Sequence, residues 1–98
     1  MVTALVMMNV ERHSIASTAQ AILALPGVNE VYSVAGEYDL VAIVRTAEYD
    51  QLATVVTERF AAVPAITRTH TLMAFQCYSN QDMERMWSIG EEEGQRTG

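Results

Sequence analysis

Lysine is absent from this 98-residue sequence. Its six basic side chains are all arginine, set against twelve acidic ones, for a formal net charge of -6 and an isoelectric point near 4.7. Such a chain offers no electrostatic footprint for a phosphate backbone, so direct nucleic-acid binding is not expected. Cysteine occurs once, as Cys77, which excludes an internal disulfide, a thiolate zinc site or a redox pair within the chain and suits a reducing setting. No apolar run approaches the roughly 20 residues of a membrane span. The short run from Ala4 to Met8 has neither the positive flank nor the cleavage site of a signal sequence. A cytoplasmic protein without membrane contact is expected. Also missing are a glycine-rich phosphate loop, metal-ligand spacing and a nucleophile elbow, so no catalytic residue, metal or cofactor is expected.

What is present is apolar. Half the residues are hydrophobic and only 18% charged, with a mean hydropathy of +0.10, which excludes intrinsic disorder. A chain of this size folds as one domain and buries about 65% of its surface. The apolar excess for so small a domain points to contacts between subunits.

Val2 to Val10 contains no Gly or Pro and reads as a first strand, closed by the polar Arg12, His13 and Ser14. Ile15, Ala19, Ile22 and Leu23 recur at helical spacing behind Ser14, a competent N-cap. Pro26-Gly27 ends this helix, predicted over 14–25. Its outward positions Ser17, Gln20, Ala21 and Ala24 carry no charge and suggest a face that meets another subunit. Val28 to Ala35 and Leu40 to Arg45 read as a hairpin around Gly36-Glu37-Tyr38-Asp39. Thr46 is the expected cap of a second helix with the stripe Leu52, Val55, Val56, Phe60 and Val63, ended by Pro64. Ile66 to Tyr78 reads as a long last strand. Beyond it, Ser79 to Asp82 resembles a cap for a short terminal helix bearing Met83, Met86 and Trp87, followed by a frayed acidic tail.

The order is β-α-β-β-α-β plus a terminal helix, and its halves echo each other: Leu25-Pro26-Gly27-Val28 returns as Val63-Pro64-Ala65-Ile66. This is the plan of an α+β ferredoxin-like sandwich with a four-stranded antiparallel sheet. Two helices cover one face of such a sheet, yet the runs Ala4 to Met8 and Leu40 to Val44 are apolar on both faces. A second copy of the chain is the expected cover, giving a homodimer through the sheets.

Gly36-Glu37-Tyr38-Asp39 places a glycine, a phenol and a carboxylate in one loop. Backbone N–H groups freed by Gly36 could receive a carboxylate and Asp39 could pair with an ammonium, as a zwitterion requires. Ordinary turn chemistry gives the alternative, in which Gly36 serves the turn, Asp39 bonds the loop's own amides and Tyr38 packs. In Arg68-Thr69-His70-Thr71 both threonine hydroxyls share one face of the last strand, within reach of a ligand or only of a neighbouring strand. His13 and His70 read as surface or satisfied residues, Cys77 as a packed thiol, and Met83, Met86 and Trp87 as packing.

Four stretches in this order, Leu25-Pro26-Gly27-Val28, Gly36-Glu37-Tyr38-Asp39-Leu40, Val63-Pro64-Ala65-Ile66 and Thr69-His70-Thr71, resemble the ligand-binding (RAM) domain of the Lrp/AsnC transcription regulators over residues 2–76. The resemblance implies dimers through the sheets, rings of octamers or decamers, and amino-acid effectors held between dimers beside the Gly-x-Tyr-Asp loop. Carried over by position, the ligand-binding residues would be Gly36, Tyr38 and Asp39, with Thr69 and Thr71. Residues 1–78 would form this domain and 79–98 a terminal helix and acidic tail. Since Met1 directly precedes the first strand, the sequence looks like a stand-alone version that acts on transcription through partners such as full-length Lrp/AsnC relatives. The alternative is a small cofactor-free enzyme of the dimeric α/β-barrel, monooxygenase-like class, with His13, His70 or Trp87 lining a cavity between sheet and helices.

Overall fold

In the first strand, β1 (Val2–Val10), every second side chain is withdrawn from water: Ala4, Val6 and Met8 are completely buried, while Leu5 and Met7 between them are half-buried. Strand periodicity makes this one layer of the core. The structure, a computed structural model, describes residues 1–80. Four strands form one sheet in the order β2-β3-β1-β4, with β2 at Val28–Ser33, β3 at Leu40–Thr46 and β4 at Ile66–Ala74. All neighbours are antiparallel. With the two helical segments this is the expected ferredoxin-like βαββαβ sandwich.

The first helix, α1 (Ile15–Leu23), follows Ser14, whose carbonyl accepts the Thr18 N–H at 2.9 Å. It buries Thr18 and Ile22, while Ile15 and Leu23 stay 40% and 45% exposed. Of the predicted stripe, Ile22 is buried and Ala19 packs against the core, while Ile15 and Leu23 lie outside it and Thr18 is buried instead. Gly27 then takes a left-handed φ of 85°, where a Cβ would stand 3.1 Å from Thr46 Cγ2 and 3.2 Å from the Arg45 carbonyl. Its own carbonyl accepts the Arg45 N–H at 2.8 Å, so α1 is tied directly to β3. Only glycine fits both demands.

The second helix departs from regularity. A short α2 (Tyr49–Thr54) runs into a π turn at Val55–Arg59 and a 3₁₀ turn at Phe60–Ala62. A π turn inserts an extra residue and rotates the chain beyond it. Here Leu52, Val55 and Phe60 end on the buried side, with Val56 and Val63 half-buried. The N-cap is Glu48 rather than the expected Thr46: the Glu48 N–H donates to Gln51 Oε1 at 3.0 Å, and the Thr46 hydroxyl donates to the Glu48 carbonyl at 2.8 Å. Thr46 belongs to the strand, where it pairs with Val2.

The core lies between one sheet face and the helices, with Ala4, Val6, Met8, Leu40, Ala42 and Val44 below and Ile22, Leu52, Val55 and Phe60 above. Register places Leu5, Met7, Val41, Ile43 and Leu72 on the other face, which no element among the described residues covers. Tyr32 shares that open face; Glu30, accepting a hydrogen bond from its phenol and adding negative charge, raises the phenol above its ordinary pKa. The last strand stops at Ala74, paired with Thr3, short of the predicted Tyr78. Beyond it Phe75 and Tyr78 are 97% and 88% exposed, and Cys77 is exposed rather than packed. The predicted helix with Met83, Met86 and Trp87 and the acidic tail lie outside the described residues.

Among the described residues, no helix is long and apolar enough to cross a membrane.

Candidate ligand site at the β2–β3 hairpin

Gly36 takes a φ of 117°, closed to ordinary side chains, and a Cβ built there would meet nothing within 4 Å. Glycine is needed for the backbone alone. The space beside it is open to an approaching group.

Three residues on, the chain is held firmly. Asp39 donates its N–H to the Met8 carbonyl at 2.8 Å, and its carbonyl accepts the Val34 N–H at 3.0 Å. Its carboxylate oxygen Oδ2 accepts the Val10 N–H at 3.0 Å and lies 3.5 Å from Asn9 Nδ2. Asn9 Nδ2 donates again to the Glu37 carbonyl at 3.0 Å. These bonds fall just past the end of the β1–β3 ladder at Met8 and Leu40, where the Val10 N–H, on the β3 side of β1, needs a partner. Asp39 thus does the loop-holding work of the turn reading, on β1 rather than on the loop's own amides. Its other carboxylate oxygen has no partner among the described residues.

Asp39→Ala is accordingly expected to lower stability without any ligand, by about 1.5–3 kcal/mol, since a charge-assisted bond is lost and a half-buried N–H is left unpaired. Chemical denaturation of the ligand-free protein measures this. An unchanged midpoint would free Asp39 for ligand contact alone.

Tyr38 is half-buried and leans over the open face. The Arg68 guanidinium sits 5.3 Å from its ring centroid, and Arg68 Nη2 donates to the Tyr38 hydroxyl at 3.3 Å. On the same ring packs His70, centroids 6.3 Å apart at a 30° tilt. Arg68 and His70 pair with Asn9 and Met7 across the ladder, so they share the open face. Thr69 and Thr71 pair with the buried Met8 and Val6 and therefore point to the helix side. The structure brings Gly36, Tyr38 and Asp39 together in one loop. It separates them from Thr69 and Thr71 by the thickness of the sheet, and sets Arg68 and His70 against Tyr38. Period-two alternation already groups residues 68 and 70 on one face, but the sequence alone does not say that Tyr38 shares it.

His13 sits in a turn with a φ of 68°, exposed, and His70 lies mid-strand on the open face. Among the described residues no group of three His, Cys, Asp or Glu side chains is placed to hold a metal. A groove of about 430 Å³ runs between Pro26, Gly27, Gln51, Thr54 and Arg59. A hollow of about 510 Å³ lies at the far end of the open face among Leu5, Tyr32, Ile43 and Cys77. Neither includes a residue of the Gly36–Asp39 loop.

Comparison with known proteins places this fold. The sequence profile of the Lrp/AsnC ligand binding domain matches residues 3–83. An uncharacterised HTH-type transcriptional regulator of Pyrococcus furiosus is 35% identical over 57 residues, covering 58% of this chain and 38% of that protein. The chain thus matches well under half the length of this relative. The crystal structure of TTHA0845 from Thermus thermophilus superposes with a TM-score of 0.74 at 42% identity, covering 81% of this chain and 99% of that one. Escherichia coli AsnC shares the fold, with a TM-score of 0.73 at 22% identity over 80% of this chain and 53% of its own. Fold and profile agree: the chain belongs to the Lrp/AsnC ligand-binding domain family of transcriptional regulators.

Proposed function

We propose that the chain is an effector-binding, oligomerising regulatory module and not an enzyme. It takes a small zwitterion, an amino acid, beside the Gly36–Asp39 loop, and its open sheet face is covered by a second copy. The observation that carries this reading is the loop itself: a backbone made open at Gly36, clamped to β1 through Asp39 and Asn9, with Tyr38 set on the uncovered face. Preorganised loops of this kind bind without the cost of ordering themselves. Because the loop lines neither of the two hollows described above, a neighbouring subunit is the natural second wall of the site. Assembly of dimers into rings, and mixed assembly with DNA-binding relatives, follow as the route to transcription for a chain whose charge of -6 disfavours duplex DNA. Residues 1–78 carry these roles.

The enzymatic reading has less support. Phe60, Met8, Ile22, Leu40 and Leu52 fill the space between sheet and helices, where an enclosed reaction cavity would have to lie.

A screen of the twenty amino acids by melting temperature and by mass tests the proposal. A ligand at about 100 times its dissociation constant stabilises the assembled form by about 2.7 kcal/mol per site. Melting temperature and oligomer mass are expected to rise together for one amino acid or a chemically related set. Flat responses to all twenty would overturn the effector reading.

A further inference from the structure

Phe75 and Tyr78 are the most exposed aromatic side chains among the described residues, at 97% and 88%. Both lie on the short arm that follows β4. A fully wet phenylalanine forgoes all the free energy that its burial supplies. Between the two rings, Gln76 and Cys77 line one side of the hollow at the far end of the open face, where Leu5 and Ile43 form the floor and Glu30 and Arg45 the rim. The arm starts beside this hollow, yet neither of its rings enters it.

Sheet order shows whose rings can. The strands run β2-β3-β1-β4, so a two-fold axis along the strands, between β3 and β1, lays β4 of one copy over β2 of another across the open face. Ala74 pairs with Thr3, and Thr3 pairs with Arg45 on its other side, so the arm leaves the sheet at the end where Glu30 and Arg45 stand. Each arm then meets the other chain's hollow, and symmetry forms the contact twice. We infer that the two arms are exchanged: Phe75 and Tyr78 of one copy pack into the far-end hollow of a second copy. Their rings lie on Leu5 and Ile43, and the Tyr78 hydroxyl sits at the Glu30 and Arg45 rim. A phenol suits such a place, apolar along the ring and wet at one end. The hollow, about 510 Å³, is of a size that holds a small molecule and has room for both rings. This inference rests on the covering of the open face by a second copy, and adds how the two sheets are turned against each other and what locks them.

The test mixes two samples of the full chain, one carrying carbon-13 only in its Leu and Ile methyl groups and one carrying protons only in its Phe and Tyr rings. Nuclear Overhauser contacts are expected from the rings of one copy to the Leu5 and Ile43 methyls of the other. They are expected to vanish when the ring-bearing copy carries Phe75→Ser and Tyr78→Ser, which separates the arm from Tyr32 on the same face. In analytical ultracentrifugation this double variant is expected to associate about 100-fold more weakly than the wild type, since each ring withdrawn from water contributes about tenfold or more. Its far-UV spectrum is expected to stay unchanged, because side chains this wet hold nothing in the single chain. Ring-to-methyl contacts found only within one copy would overturn the inference, for the arm would then fold back on its own chain. So would a double variant that associates as the wild type does, or methyls that no ring of the arm reaches. The reading beneath it fails in another way, as a wild-type chain that sediments as a monomer at micromolar concentration.

Discussion

Ile43→Glu is expected to leave the chain monomeric at micromolar concentration, with its far-UV spectrum unchanged. Ile43 stands near the middle of the open face, paired with Leu5 on one side and Glu30 on the other. With Met7, Val41 and Leu72 it forms an apolar surface that the two helices, packed on the opposite face, cannot reach. In the single chain a glutamate there stays wet and costs little. In a sheet-to-sheet dimer it must be buried without a partner, which costs several kcal/mol and weakens association by about 100-fold or more. Analytical ultracentrifugation of the two proteins side by side reads this directly. An Ile43→Glu protein with wild-type mass would show that the open face is not the dimer interface.

The second large effect lies in the opposite layer. Phe60 is the bulkiest fully buried side chain among the described residues, 1% exposed, and it enters the core directly after the π turn at Val55–Arg59. Phe60→Ala removes this volume from beneath a segment too irregular to shift as a rigid helix. The expected loss is about 3–5 kcal/mol, a large share of the 5–15 kcal/mol that small domains possess. Chemical denaturation followed by circular dichroism measures it. A loss below about 1.5 kcal/mol would mean that the segment closes over the gap, and that the π turn is a soft element rather than a fixed one. Together the two variants separate the faces of the sheet, since Ile43→Glu should cost assembly and spare the fold while Phe60→Ala should cost the fold itself.

Local pattern made the element order legible. β1 came out over the predicted residues, and β2 and β3 each within two residues of their expected ends. Gly27, predicted as a helix stop, proved to be that and a close contact with β3 as well. The second helix was less legible, for a sequence with Leu52, Val55, Val56 and Phe60 fits a regular stripe nearly as well as one interrupted by a π turn. The end of β4 could not be read from β4. Leu72 to Tyr78 stays largely apolar and aromatic past Ala74, and nothing in that pattern marks where pairing with β1 ends, at Thr3.

The candidate site divides in the same way. Composition and turn chemistry single out Gly36, Tyr38 and Asp39, because a left-handed glycine beside a short carboxylate is a local matter decided within four residues. Alternation alone likewise sets Arg68 with His70 and Thr69 with Thr71, on opposite faces of one strand. Which of the two pairs joins Tyr38 is not local. It depends on the register between β4 and β1, which matches Thr69 with the buried Met8 and leaves Arg68 and His70 on the open side, and on the path of a hairpin from another part of the chain. The role of Asp39 was undecided for the same reason. Its partner is the Val10 N–H, 29 positions away, left over where the β1–β3 ladder ends. Sequence by itself therefore determined the elements, their order and the chemistry of the loop, since these arise from interactions between near neighbours. Tertiary structure decided which side chains meet across the sheet, because strand register is a contest among distant segments that no single stretch of residues contains.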